Sequence, residues 1–167
     1  RLAKPLGTEF NSVPNGLKVK IIDTPLVFSF VWGYLSGIIV ISTGALKSLS
    51  PDELKCVLAH EASHYRRKDN FLKGLIILCR NTLIVFPHVH LLFRWWQEEI
   101  ELIGDEAAVL RTGKPMDVAS AILKMQMTTS TNSSWNVEKF ATGFITSVKT
   151  NSLTRRVERL VAIYDSR

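Results

Sequence analysis

His60, Glu61 and His64 stand in the run "LAHEASHYRRKDN", residues 58–70, as two imidazoles four apart with a carboxylate directly after the first. On an α-helix, positions four apart lie one above the other, so both rings can aim a nitrogen at one point. Such a pair chelates a divalent cation, and zinc takes histidine nitrogens at about 2.0–2.1 Å. Glu61 lies about 100° further round the helix, beside such an ion and not beneath it. From there its carboxylate can take a proton from an attacking water.

A catalytic ion of this kind needs a third protein ligand and one position left open. The downstream candidates are His88, His90, Glu98, Glu99, Glu101 and Asp105. Arg94, Glu98, Glu101 and Asp105 step by four, three and four, which makes one polar stripe on a helix. Carboxylates stacked in this way repel, and a cation relieves them; a metal ion and Arg94 are the two candidates. Glu101 and Asp105 are one turn apart, so one can ligate while the other holds a ligand histidine from behind. Glu101 is the favoured third ligand and Asp105 the supporting acid, with His88 or His90 as the alternative. The two histidines after Pro87 would point the same way only in a strand, and they read better as a helix cap.

These residues need rigid elements beneath them. "LKVKIID", residues 17–23, alternates apolar and charged positions and predicts a half-buried strand. Residues 24–46 carry no charge and are long enough for a spanning helix, but Gly33, Gly37 and Gly44 break them and β-branched residues fill them. Two strands around a turn are therefore predicted. Ser50-Pro51-Asp52-Glu53 has the parts of a helix start: a cap, a proline at the first position and an acid to close a capping box. That helix should reach Arg67 or Asp69 and carry the histidine pair. Further helices are expected over 70–85, 89–111 (ending at Gly113), 116–127 and 153–164, with a polar loop at 128–136. The fold class is α+β, mainly helical, with a small β-sheet or hairpin before the motif helix.

The chain has 167 residues and a net charge of +6, with 46% hydrophobic residues, enough for a single domain with one core. No arginine stripe interleaved with aromatics is present, so nucleic acid is not an expected partner. Cys56 and Cys79 have no disulfide or CxxC spacing, and both are expected to be small core residues in a reducing compartment. The chain begins with Arg1 and shows no signal peptide, so it is read as a piece, residues 1–167, of a longer protein.

"LSPDELKCVLAHEASHYRRKDN", then "FP", a helix with "ExxxD" and "AAVL", resembles the antirepressor zinc metalloproteases of the BlaR/MecR type. "VFSFVWG…IIVIS" and "KFATGF…LTRRVERL" extend the likeness over roughly residues 18–163. Phe86-Pro87 and Gly104-Asp105 depart from the family's usual Asn-Pro and Cys-Asp. More distantly the chain is similar to HtpX-type membrane zinc proteases. The resemblance implies a zincin-like gluzincin domain, with His60, His64 and Glu101 on zinc and Glu61 as catalytic base. It implies an endopeptidase acting through metal-activated water on a protein or peptide, either a transcriptional repressor or the protein itself. It also implies a cell-membrane protein with this domain on the cytoplasmic side and membrane segments outside this chain. The competing class is a zinc-binding regulatory module without turnover.

Tyr34, Tyr65 and His88 are candidate donors to an oxyanion. Substrate is expected to add as a strand along an edge formed by residues 37–42, unless these only pack in the core. Asp69, behind Arg66-Arg67-Lys68, is expected to anchor the motif helix by an ion pair.

Overall fold

The computed structural model describes residues 17–83, 86–131 and 142–166. A small sheet comes first: β1 (Lys18–Ile22), β2 (Ser29–Trp32) and β3 (Ile38–Ser42), followed by the short helix α1 (Thr43–Ser48). The rest is helical: α2 (Pro51–Arg67), α3 (Asp69–Thr82), α4 (Pro87–Thr112), α5 (Pro115–Thr131) and α6 (Thr142–Asp165). The expected α+β fold, mainly helical with a sheet before the motif helix, is the one found. No described helix is long and apolar enough to cross a membrane.

The uncharged stretch forms the antiparallel pair β2–β3, with Ser29 opposite Ile41 and Trp32 opposite Ile38. Its turn needs Gly33, whose φ of 114° is closed to a residue with a Cβ. β1 then pairs in parallel with the other side of β3. The sheet order is β1-β3-β2, so β3 is central and the expected edge at residues 37–42 does not exist. Its side chains explain this: Ile39, Val40 and Ile41 are all buried, which suits an inner strand. The edge strand next to the motif helix is β2.

The predicted capping box closes α2 at its start. Ser50 Oγ accepts from the Glu53 amide at 3.3 Å, and Glu53 Oε2 accepts from the Ser50 amide at 2.7 Å. Such a cap stabilises a helix by about 1 kcal/mol. Glu53 also accepts from Ser120 at 2.6 Å and from Lys124 at 2.7 Å, which ties the start of α2 to α5. At the other end Lys68 takes a left-handed conformation, φ 55° and ψ 39°, and α3 begins at the next residue.

α2 is the central rod. On one side Cys56 and Ala59 pack with Ala108, Val109, Val118, Ile122 and Leu160, joining α2, α4, α5 and α6. On the other, Val57 packs with Ile21, Ile41, Ala45, Leu49 and Ala121, joining it to the sheet. Cys56 is the core residue expected, but Cys79 is exposed on α3, whose outward face carries it. The helices outrun their sequence signals. α5 runs on to Thr131 into the expected polar loop, and α6 starts at Thr142, well before residue 153. Residues 1–16, 84–85, 132–141 and 167, with the remainder of that loop and part of the aromatic-glycine stretch, lie outside the described residues.

Candidate metal centre

On α2 the two imidazoles do converge. Their rings meet edge to face with centroids 4.6 Å apart, and the two Nε2 atoms are 2.9 Å from each other. Glu101, from the middle of α4, reaches the same point: its oxygens lie 3.5 Å from His60 Nε2 and 3.9 Å from His64 Nε2. Among the described residues these three are the one group arranged to hold a metal ion. Donors at about 2.0–2.1 Å in a tetrahedron stand about 3.3 Å apart, so the observed separations bracket what zinc needs.

Both rings are held from behind by a carboxylate. His60 Nδ1 faces Asp105 Oδ1 at 3.0 Å, and His64 Nδ1 faces Asp69 Oδ2 at 2.6 Å. A carboxylate can only accept, so each Nδ1 carries the proton and each Nε2 turns a lone pair inward. Two lone pairs and a carboxylate converging on one point form a donor set that calls for a cation. Without one, a proton takes the place. Burial alone would lower the pKa of His60, but the hydrogen bonds to Asp105 and Glu101 and their charge outweigh it and raise it to about 9. Burial likewise works against ionisation of Glu101, yet His60 and Arg156 hold it down at about 2.

α4 reaches the pair because of Gly104. A Cβ there would lie 2.7 Å from His60 Cε1, so the bare backbone lets the imidazole pass. Ala108, further along the helix, packs in the core.

Two groups that hold the site were not assigned from the sequence. Asp69, expected to anchor structure by an ion pair, does bind Arg67 (2.7 Å to NH2), but it also orients His64. Arg156, from α6, was missed altogether. Its Nε and NH2 grip Asp105 at 2.6 and 2.7 Å, and its NH1 stands 3.3 Å from Glu101. Arg155 pairs with Glu99 at 2.6 Å and Arg159 with Glu106, so α6 supplies the cations that the acidic side of α4 needed. The Arg-rich run at 155–159 was the available signal; its distance in sequence concealed the partner.

Glu61 is buried beside the cluster, and burial pushes its pKa up against the lowering effect of the two histidines. It lines both halves of a cleft that meets at the metal point. One half, about 270 Å³, runs past Phe30, Asn70, Lys73 and Trp96. The other, about 180 Å³, is walled by Val57, Val118, Ala121, Ile122 and Met125. Ser29, on the edge strand β2, lines both, and its hydroxyl is buried near Glu61, favouring the ionised carboxylate. The expected oxyanion donors do not line this cleft: Tyr34 is exposed on the β2–β3 turn, Tyr65 packs under it against Gly37, and His88 is exposed. His88 and His90 sit in the first turn of α4, about 20 and 16 Å along the helix from Glu101, too far to share its ion.

A family model described as BlaR1 peptidase M56 matches residues 12–160. Among curated proteins, the chain is 26% identical over 142 residues to "Protease HtpX homolog 2" of Methanosarcina mazei, covering 65% of this chain and 48% of that one. It is 32% identical over 123 residues to "Protease HtpX homolog 1" of Streptomyces coelicolor, covering 54% and 40%. Over 71 residues it is 35% identical to "Protease HtpX" of Escherichia coli, covering 41% and 24%. The chain thus spans less than half the length of these relatives. No solved structure matches it.

Proposed function

The chain belongs to the BlaR1 peptidase M56 family, and from that premise we propose that it is a zinc-dependent endopeptidase domain. The observation that carries this reading is the convergence of His60 Nε2, His64 Nε2 and Glu101 at the floor of a cleft, with the buried carboxyl of Glu61 alongside. His60, His64 and Glu101 would hold the ion, and Asp105 and Asp69 would keep the two imidazoles turned towards it. Zinc, when bound, supplies a Lewis acid that polarises the scissile carbonyl and favours ionisation of water.

Glu61 is the general base. Its raised pKa suits a group that takes a proton from the attacking water and returns it to the leaving amine. A peptide laid along β2 would pass over the metal point in extended form, using the edge that the sheet leaves there. The recess walled by Val57, Val118 and Ile122 would take an apolar side chain next to the scissile bond. Ser29, its hydroxyl buried on the same edge, lines both halves of the cleft beside Glu61, whose ionised form it favours.

Family likeness supports a cell-membrane protein with this domain on the cytoplasmic side and a repressor or the protein itself as substrate. Purified protein should contain one zinc per chain and cleave a casein or peptide library, with cleavage lost on chelation. Glu61→Gln should keep the zinc and lose at least a hundredfold in rate. A variant that cleaves as before would overturn the mechanism, and a zinc-loaded parent that cleaves nothing would favour a regulatory module.

A further inference from the structure

From Asn70 to Gln97 the chain carries Lys73, Arg80 and Arg94 and not one aspartate or glutamate. The described residues of this segment form α3 and the first half of α4, and many of their large apolar side chains are exposed, although Phe93 is buried. Leu78 is 64% exposed, Leu91 63% and Trp95 59%. Phe71, Leu75 and Phe86 are exposed with them. The surface continues onto the β2–β3 turn, where Trp32, Tyr34 and Leu35 are exposed. The two parts are fastened together: the Asn70 amide donates to the carbonyls of Val31 and Gly33 at 2.7 and 3.0 Å, and the Tyr34 ring covers Gly74. Apolar surface of this extent marks a place where something binds.

Length and charge select the partner. α3 has 14 residues, about 21 Å, and the apolar half of α4 is shorter still, against about 30 Å of bilayer hydrocarbon. Neither can cross, but both suit one leaflet. Tryptophans on the same surface favour the boundary between headgroups and acyl chains. Cations without acids match an anionic headgroup layer. A second copy fits worse, because the same cations would meet face to face with no acid in the segment to answer them.

We propose that α3, the first half of α4 and the β2–β3 turn seat on an anionic lipid surface, entering one leaflet without crossing it. Asn70, Lys73 and Trp96 also line the larger half of the cleft, so the cleft opens at the height of the lipid.

The whole chain is mixed with vesicles of phosphatidylcholine alone or with added phosphatidylglycerol. Sedimentation with the anionic vesicles should exceed that with the zwitterionic ones at least tenfold, and brominated acyl chains should quench tryptophan emission. Leu78→Glu with Leu91→Glu should weaken binding at least tenfold, and both sites are exposed enough to spare the fold. Leu110→Glu, at an 83% exposed position on the far half of α4, should leave it unchanged. Lys73→Gln with Arg80→Gln should reduce the preference for anionic vesicles. Absence of binding, equal binding by the Glu double variant, or a lipid-free dimer that this variant dissolves would each overturn the proposal. None of these measurements needs zinc or cleavage, so the peptidase reading stands or falls separately.

Discussion

His64 Nδ1 lies 2.6 Å from Asp69 Oδ2 across a turn of one residue, so the second imidazole of the pair is oriented by the first residue of the next helix. Asp69→Ala should therefore lower zinc affinity by about 10–100-fold without unfolding the protein. Competition against a chromophoric chelator measures this. Unchanged affinity would show that His64 keeps its orientation by other means.

Arg156 answers two acids from a helix 51 residues beyond Asp105. Arg156→Leu leaves the buried Asp105 with His60 as its remaining partner, and should cost on the order of 2–3 kcal/mol of stability. Arg156→Lys keeps the charge but not the two-pronged grip, and should recover only part. Adding Asp105→Asn to Arg156→Leu should cost less than the two single changes together, because the buried charge that lost its guanidinium is gone. Urea denaturation of the four proteins tests the cycle, and simple additivity would contradict the pairing.

A proton and zinc compete for the Nε2 of His60. With its pKa raised to about 9 in the metal-free protein, the proton is bound throughout the neutral range. Zinc must displace it, so affinity should climb about tenfold per pH unit up to about pH 9 and then level off. Calorimetry in buffers of different ionisation enthalpy should count about one proton released per zinc at pH 7. No release would mean that the site is already deprotonated.

Glu53 is buried, which on its own would raise its pKa, but hydrogen bonds from Lys124, Ser120 and the Ser50 amide hold it at about 2. A depressed acid stabilises the fold above its unfolded pKa near 4.5 and loses that contribution as pH falls towards 2. The contribution is on the order of 2–3 kcal/mol. Glu53→Gln should therefore be less stable than the parent at pH 6 and approach it near pH 2. A constant gap across that range would rule out the linkage.

The sequence made legible whatever depends on neighbours along the chain. Ser50, Pro51 and Glu53 announce the start of α2 because a cap is a local device, and His60 and His64 announce themselves because helical spacing fixes their direction. Glu101 and Asp105 were readable for the same reason, as partners one turn apart. Asp69 was seen but undervalued, because only the left-handed Lys68 turns it back onto α2, and non-glycine residues seldom adopt that conformation. β3 was placed at an edge because a hairpin shows two strands, while the parallel pairing with β1 depends on contacts about 20 residues apart. Arg156 lay furthest from its partners, and neither a metal nor Arg94 was the only cation available to the acids of α4.

Lys68 is the whole connection between α2 and α3, and a joint of one residue has no slack. A longer loop would let α3 shift while the rest of the protein stayed still. Here a tilt of α3 would carry Asp69 with it, and Asp69 holds the second imidazole. One residue thus separates the exposed apolar helix from a side chain that orients the candidate metal site.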